Sequence, residues 1–466
     1  MNRDILRLAI PNILSNISVP LLSSFDTGLM GSLGGRYIAA VGLGAMALNF
    51  VYWNFGFLRM STTGITAQAY GKQDEEAQML SLVRAGGLAL LLAGCLLALQ
   101  YPFAELIHWL LNLRADQVEL VDDYFYLRIL AAPAALLQMV LFGWFFGRQN
   151  ATFPLVLTLI VNVANMVLSF YLVRTLGWGI KGVALGTVAA QYLGLVIGLG
   201  LLWYECRRHA LPLKIVLLHL RPRLEKRGKE VEKKGERKAV GKEGGTALKE
   251  FLTINRDIFI RTLCLTLSFA FFYNRANALD VGTAVVAANV ILLQLVNWLS
   301  YGVDGFAFAA ESLVGRYHGA GQPEKLRRLL KLLFAWGMGL AVIYALVYAL
   351  GNTHLLALFA PEDAAPETLA EALRYLPIVV AFCILATPCY LLDGIYVGLT
   401  AAHAMRQTML LAFAGYLLSY YLLGRHYANW GLWGSLLFFM VLRAVMQGWW
   451  LWKGRVGSIQ DSGSSN

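Results

Sequence analysis

The stretch Thr152-Phe-Pro-Leu-Val-Leu-Thr-Leu-Ile-Val-Asn-Val-Ala-Asn-Met-Val-Leu-Ser-Phe-Tyr-Leu-Val-Arg174 carries no charge before its last residue. A hydrocarbon layer of about 30 Å takes about 20 helical residues to cross, so this segment has the length and composition of a membrane span. Its polar residues Asn162, Asn165 and Ser169 are spaced i, i+3, i+7, which places them on one helix face. Comparable runs occupy 5–30, 37–66, 79–102, 123–147, 179–205, 255–279, 283–311, 328–350, 371–398, 405–424 and 428–452. They are about twice the length of barrel strands and lack alternating polarity. The sequence therefore predicts an all-α polytopic membrane protein with 12 transmembrane helices.

Composition agrees. Of 466 residues, 58% are hydrophobic and only 14% charged, and the mean hydropathy is +0.58. A soluble domain carries about 25% charged residues, so a water-soluble enzyme is excluded. The net charge of +11 invites a nucleic-acid reading until the charges are located. Between Arg207 and Glu250 lie 14 Lys/Arg and 6 Asp/Glu, so this segment alone supplies +8 and the remainder is nearly neutral. Placing both termini in the cytoplasm puts 29 basic residues on the inner side against 8 outside, the bias that orients membrane proteins. The run to Phe25 is too long for a signal-peptide core and reads as a retained first span. Cys95, Cys206, Cys264, Cys383 and Cys389 show no CxxC or Cys/His spacing and imply neither a disulfide framework nor a metal site.

The basic segment divides the spans six and six. Gly143-Trp-Phe-Phe-Gly147 has a counterpart in Gly394-Ile-Tyr-Val-Gly398 at an offset of 251, and Gln68-Ala-Tyr-Gly71 has one in Arg316-Tyr-His-Gly319 at 248. Asp4-Ile5 and Asp257-Ile258 stand 253 apart. Two homologous six-helix lobes follow, related by a pseudo-two-fold axis along the membrane normal because six is even. The expected organisation is an N-lobe over 1–206, a basic cytoplasmic linker over 207–250 that reads either as a solvated flexible tether or as a segment drawn to anionic lipid, a C-lobe over 251–454 and a cytoplasmic tail over 455–466.

An ionisable group inside a span needs a partner or a task. Asp26, Arg59, Asp304, Asp393 and Arg443 qualify, while Glu311, Arg261 and Arg275 lie nearer span ends and can snorkel to water. Asp26 reads either as a solvated helix-end carboxylate or as a gate, the latter because Pro11 and Pro20 remove hydrogen bonds from its helix and make it bendable. Asn162, Asn165, Ser169 and Thr187 read either as polar glue between helices or as a polar cavity near Asp26. For Asp393 and Asp304 the default is a structural ion pair with Arg443 or Arg59. The chain has no HExxH, no GxxxxGK[ST] and no GxSxG. Without a phosphate-binding loop, any transport is passive or driven by an ion gradient, and neither an enzyme nor a cofactor is expected.

The run Phe55-Gly-Phe-Leu-Arg-Met-Ser-Thr-Thr-Gly-Ile-Thr-Ala-Gln-Ala-Tyr-Gly71 resembles the second-span signature of the MATE multidrug exporters, in their DinF branch. Similar matches follow at Val19–Thr27, Ala132–Gln138, Asn162–Leu168, Gly182–Thr187, Val303–Ala307 and Cys389–Gly394, so the resemblance covers nearly the whole chain. It implies two lobes facing a central cavity, alternating access, and export of amphipathic, often cationic compounds against inward protons or sodium. It aligns Asp26 with the family's coupling aspartate, Asn165 and Thr187 with cavity-lining residues, and Pro11 with the bending proline. Relatives read Asn-x-x-Asn-x-x-Leu-Asp where this chain has Leu168-Ser169, so the second N-lobe carboxylate is missing. Ser169 supplies an oxygen but no charge, which favours protons over sodium as the coupling ion. Asp393 and Asp304 form a possible C-lobe site, and Trp53, Asn54, Gln138 and Met139 are possible substrate-lining residues. The implied setting is the bacterial or archaeal inner membrane, with a monomer that binds no nucleic acid and whose partners are small amphipathic substrates, protons and the lipid bilayer. The rival readings are a sodium-coupled exporter and a lipid-linked sugar flippase of the same superfamily.

Overall fold

The computed structural model describes residues 1–31, 35–111, 115–211, 234–279, 282–359 and 366–453. The tail from 454 onward and residues 212–233 of the linker lie outside the described residues. The described chain is helical and without strands. Its elements are α1 (Asn2–Gly31), α2 (Gly35–Asn54), α3 (Phe57–Gly71), α4 (Glu75–Ala98), α5 (Gln100–Leu111), α6 (Ala115–Arg128), α7 (Ala132–Gly147), α8 (Thr152–Phe170) and α9 (Gly179–Arg208). There follow α10 (Lys234–Ala278), α11 (Thr283–Gly319), α12 (Pro323–Phe359), α13 (Pro366–Gly398), α14 (Ala402–Leu422) and α15 (Ala428–Trp452).

Every predicted span is occupied by helix, and nine helical segments of the described residues are long and apolar enough to cross a membrane. The differences are local. The span predicted over 37–66 is broken at Phe55-Gly56 into α2 and α3, and α6 is joined to α7 by a 3-10 turn over Ile129–Ala131. Helix α5 falls where a loop was expected. The linker is not wholly a flexible tether, because α10 begins at Lys234 within its Lys/Glu/Gly run. Polar residues mark the entries: Asp74 accepts a hydrogen bond from the Ala77 amide at 2.8 Å, and Asn150 Oδ1 accepts from the amides of Thr152 and Phe153 at 3.1 and 3.2 Å. Each satisfies donors that the first turn of a helix leaves open.

Two compact units result, one comprising Met1–Ile17 with Asp257–Asn466 and the other Ser18–Arg256. They differ from the expected division at 206 and 251, because α1 and α10 are each split between them. The first half of α1 packs in the unit of the second half of the chain: Ala9 and Ile13 lie against Gly305 of α11, and the Asn16 amide donates to the Tyr301 carbonyl at 3.3 Å. Reciprocally, Asn255 near the middle of α10 accepts from Ser61 Oγ of α3 at 2.7 Å.

The internal repeat appears in the packing of each unit. A Cβ on Gly143 would stand 2.5 Å from the Arg59 carbonyl, and one on Gly147 would stand 2.6 Å from Thr66 Cβ, so α7 rests directly on α3. In the other unit a Cβ on Gly394 would stand 2.3 Å from the Ala307 carbonyl, and one on Gly398 would stand 2.8 Å from the Glu311 carbonyl and 2.9 Å from Val314 Cβ. The glycines repeat at 251 and their partners Arg59/Ala307 and Thr66/Val314 at 248, the offsets found in the sequence. Small residues admit such backbone approach in membrane helices. Gly394→Ala is expected to lower stability by about 1–3 kcal/mol, the usual cost of overpacking, read as an earlier thermal unfolding transition of the solubilised protein.

Candidate functional site

Two buried polar clusters stand out, one in each unit. In the Ser18–Arg256 unit the i, i+3, i+7 face of α8 is turned inward. Asn162 Nδ2 donates to Ser18 Oγ of α1 at 2.9 Å, Asn165 Nδ2 donates to Thr187 Oγ1 of α9 at 3.1 Å, and Ser169 Oγ donates to Asn165 Oδ1 at 2.9 Å. Thr187 in turn donates to the Val183 carbonyl at 2.9 Å. All five side chains are buried. The close approach of α9 is permitted by Gly186, where a Cβ would lie 2.5 Å from Ser169 Oγ. Beyond Ser169 the helix widens into a π-helical turn over Tyr171–Thr175, a feature common at functional sites.

The structure thus brings Asn162, Asn165, Ser169 and Thr187 together, and adds Ser18, which the sequence reading did not single out. Its signal was positional: Ser18 lies eight residues before Asp26 on α1, about 12 Å along a helix. The backbone of Asp26 lies in α1, which runs as helix through Pro11 and Pro20, but its side chain is outside the described residues. The predicted lining residues are spread out. Trp53 is largely exposed, Asn54 Nδ2 donates to its own helix at Phe50 (2.8 Å), and Gln138 Nε2 donates to the Gln191 carbonyl at 2.5 Å. Met139, next to Gln138 on α7, is half-buried.

In the other unit Asp393 of α13 receives a hydrogen-bonded ion pair from Arg261 of α10 and another from Arg443 Nη2 of α15 at 2.5 Å, both on Oδ2. Gln447 Nε2 donates to Oδ1 at 2.9 Å, and the Gln447 carbonyl accepts from the Tyr396 hydroxyl at 2.7 Å. The Arg443 guanidinium also lies over the Phe439 ring at 5.2 Å. Arg443 was expected as a partner, but Arg261 does not snorkel: it is 7% exposed and held inside by this carboxylate. Glu311, also expected near water, is 2% exposed. Arg59 stands over the Phe146 ring at 6.0 Å, in the unit that lacks Asp393. Asp304 is half-buried on α11, one turn beyond Ser300, which donates to the Tyr390 hydroxyl at 3.0 Å. Chemically the first cluster is neutral and rich in hydroxyl and amide groups, whereas in the second the carboxylate is committed to two cations.

The MatE family model matches residues 11–171 and 258–423, one match in each half of the chain. The chain is 34% identical over 442 residues to DNA damage-inducible protein F of Escherichia coli, covering 94% of this chain and 89% of that protein. It is 24% identical over 399 residues to the probable multidrug resistance protein NorM of Rhizobium meliloti, covering 84% and 78%. Among solved structures, an outward-facing multidrug resistance MATE family transporter of the MOP superfamily superposes with a TM-score of 0.83 at 18% identity, covering 99% of this chain and 97% of that one. The twelve-helix, two-lobe arrangement fits that fold. The paired family match, the identity to a full-length relative and the shared fold make this chain a member of the MatE family of membrane transporters.

Proposed function

We propose that this transporter is a multidrug antiporter of a cytoplasmic membrane, with both termini inside, which exports amphipathic and often cationic compounds in exchange for inward protons. The observation that supports proton coupling is the state of Ser169. Where a second carboxylate would complete a cation site, its hydroxyl is fully buried and donates within α8 to Asn165. A sodium site takes several oxygen ligands with compensating charge. A lone intramembrane carboxylate, Asp26, is instead suited to binding and releasing one proton. In the proposed cycle Asp26 is ionised while substrate loads from inside and protonated from outside as α1 changes its bend and substrate leaves.

Energetics limits the stoichiometry. One proton gains about 1.4 kcal/mol per pH unit and about 2.3 kcal/mol per 100 mV. Exchange of one proton for one monovalent cation cancels the electrical part, leaving about tenfold accumulation per pH unit. The test uses inverted vesicles or proteoliposomes loaded with a fluorescent monovalent cation, under proton and sodium gradients imposed separately. Proton gradients alone are expected to drive export, with a steady-state ratio that follows pH. Export that requires sodium and ignores pH would overturn the proton reading. Absence of any gradient-dependent export across a dye panel would bring the flippase reading forward.

A further inference from the structure

Where α6 passes through its 3-10 turn into α7, Arg128 stands with its guanidinium over the Tyr52 ring of α2, 5.8 Å from the ring centre. The two acidic residues that precede it most closely on α6 are engaged elsewhere: Asp122 with His108 at 2.7 Å and Asp123 with Lys181 at 3.2 Å. Arg128 Nη1 is buried with no acceptor among the described residues, and so is the Tyr52 hydroxyl with neither donor nor acceptor. Tyr124 and Tyr192 lie beside Tyr52, and the Tyr192 hydroxyl donates to the Leu130 carbonyl inside the 3-10 turn at 3.0 Å. Among the described residues, a cation therefore sits in an aromatic surround with two unmet hydrogen-bonding groups and no ion-paired carboxylate.

That combination is costly unless something complements it. Buried donors are almost always satisfied, and a half-buried cation held against aromatic rings is stabilised further by an anion. The ion pairs of the same chain show the contrast: Asp393 receives two arginines, and Arg148 reaches Gln78 Oε1 at 2.5 Å and Glu205 at 3.4 Å. We propose that Arg128 and Tyr52 form a receptor for one oxyanionic group of an amphipath, a carboxylate, sulfonate or phosphate. Arg128 supplies the charge-assisted donor and Tyr52 a hydroxyl donor, while the tyrosine rings receive the apolar body next to the head. The anion comes from a lipid headgroup or from an anionic or zwitterionic compound in transit. The inference does not depend on which ion drives transport, and it concerns substrate charge opposite to that handled at Asp26.

The test titrates the purified, delipidated full-length protein in an uncharged detergent with 2-naphthalenesulfonate, with neutral 2-naphthylmethanol, and with dioleoylphosphatidylglycerol, by calorimetry. Wild type is expected to bind one anionic probe at least tenfold more tightly than the neutral one. Arg128→Gln is expected to remove that preference, Tyr52→Phe to weaken anion binding several-fold, and Arg128→Lys to retain part of it because charge persists without the planar fork. Loss confined to the sulfonate identifies a soluble amphipath, and loss confined to phosphatidylglycerol identifies a lipid headgroup. Should Arg128→Gln fail to fold, Tyr52→Phe and Arg128→Lys carry the test, with exposed Arg425→Gln as the control. Equal affinity for all three probes in wild type, or anion binding unchanged in Tyr52→Phe and Arg128→Lys, overturns the proposal.

Discussion

Asp393→Asn is expected to destabilise the protein by about 3–5 kcal/mol, because it leaves two buried guanidinium groups without their counter-charge. Asp393 ties three helices through one carboxylate: α13 carries it, α10 brings Arg261, and α15 brings Arg443 and Gln447. Arg443 is 1% exposed, so water offers no substitute. Lipid-side apolar contacts survive the substitution, and the loss is electrostatic rather than steric. The measurement is thermal or denaturant unfolding of the solubilised protein. The triple replacement Asp393→Leu with Arg261→Met and Arg443→Met is expected to recover much of the loss, since replacing a buried ion cluster with apolar residues is often close to neutral. A destabilisation of less than 1 kcal/mol, combined with lost proton coupling, would contradict this reading and assign Asp393 to transport.

Asp26→Asn is expected to bring gradient-driven export down to the level of empty vesicles and to weaken substrate binding, because the neutral side chain imitates the protonated aspartate from which substrate leaves. The asparagine keeps the size of the aspartate and removes its negative charge together with its ability to exchange a proton. The neutral groups along α8 and α9, Asn162, Asn165, Ser169 and Thr187, cannot take over that role near neutral pH. The check is paired: dye export under an imposed pH gradient, and proton release on adding substrate to detergent-solubilised protein in weak buffer. Both signals should vanish together in Asp26→Asn. Export that persists in the variant would place the coupling proton elsewhere, and Asp304, half-buried beside the Ser300–Tyr390 hydroxyl pair, is then the group to replace.

That this chain crosses a membrane many times, and does so as helices, is readable along the chain, since apolar runs of that length leave no other way to satisfy the backbone. The repeat was legible too, because Gly143, Gly147, Gly394 and Gly398 recur at one offset, and at each of them a Cβ would stand under 3 Å from the neighbouring helix. The polar face of α8 was legible from helical spacing alone. The remaining features depend on contacts between helices far apart in the chain. The assignment of Met1–Ile17 to the unit of the second half depends on side-chain contacts of Ile13 and Asn16 with α11, nearly 300 residues away in the chain. Arg261 could not be told from a snorkelling arginine by its place in the sequence, because its partner lies 132 residues further on. The same holds for Arg128, whose neighbours Asp122 and Asp123 are drawn away by His108 and Lys181. Periodicity is a property of one helix and can be read along the chain, whereas the pairing of charges is set by distances between helices that no local pattern encodes.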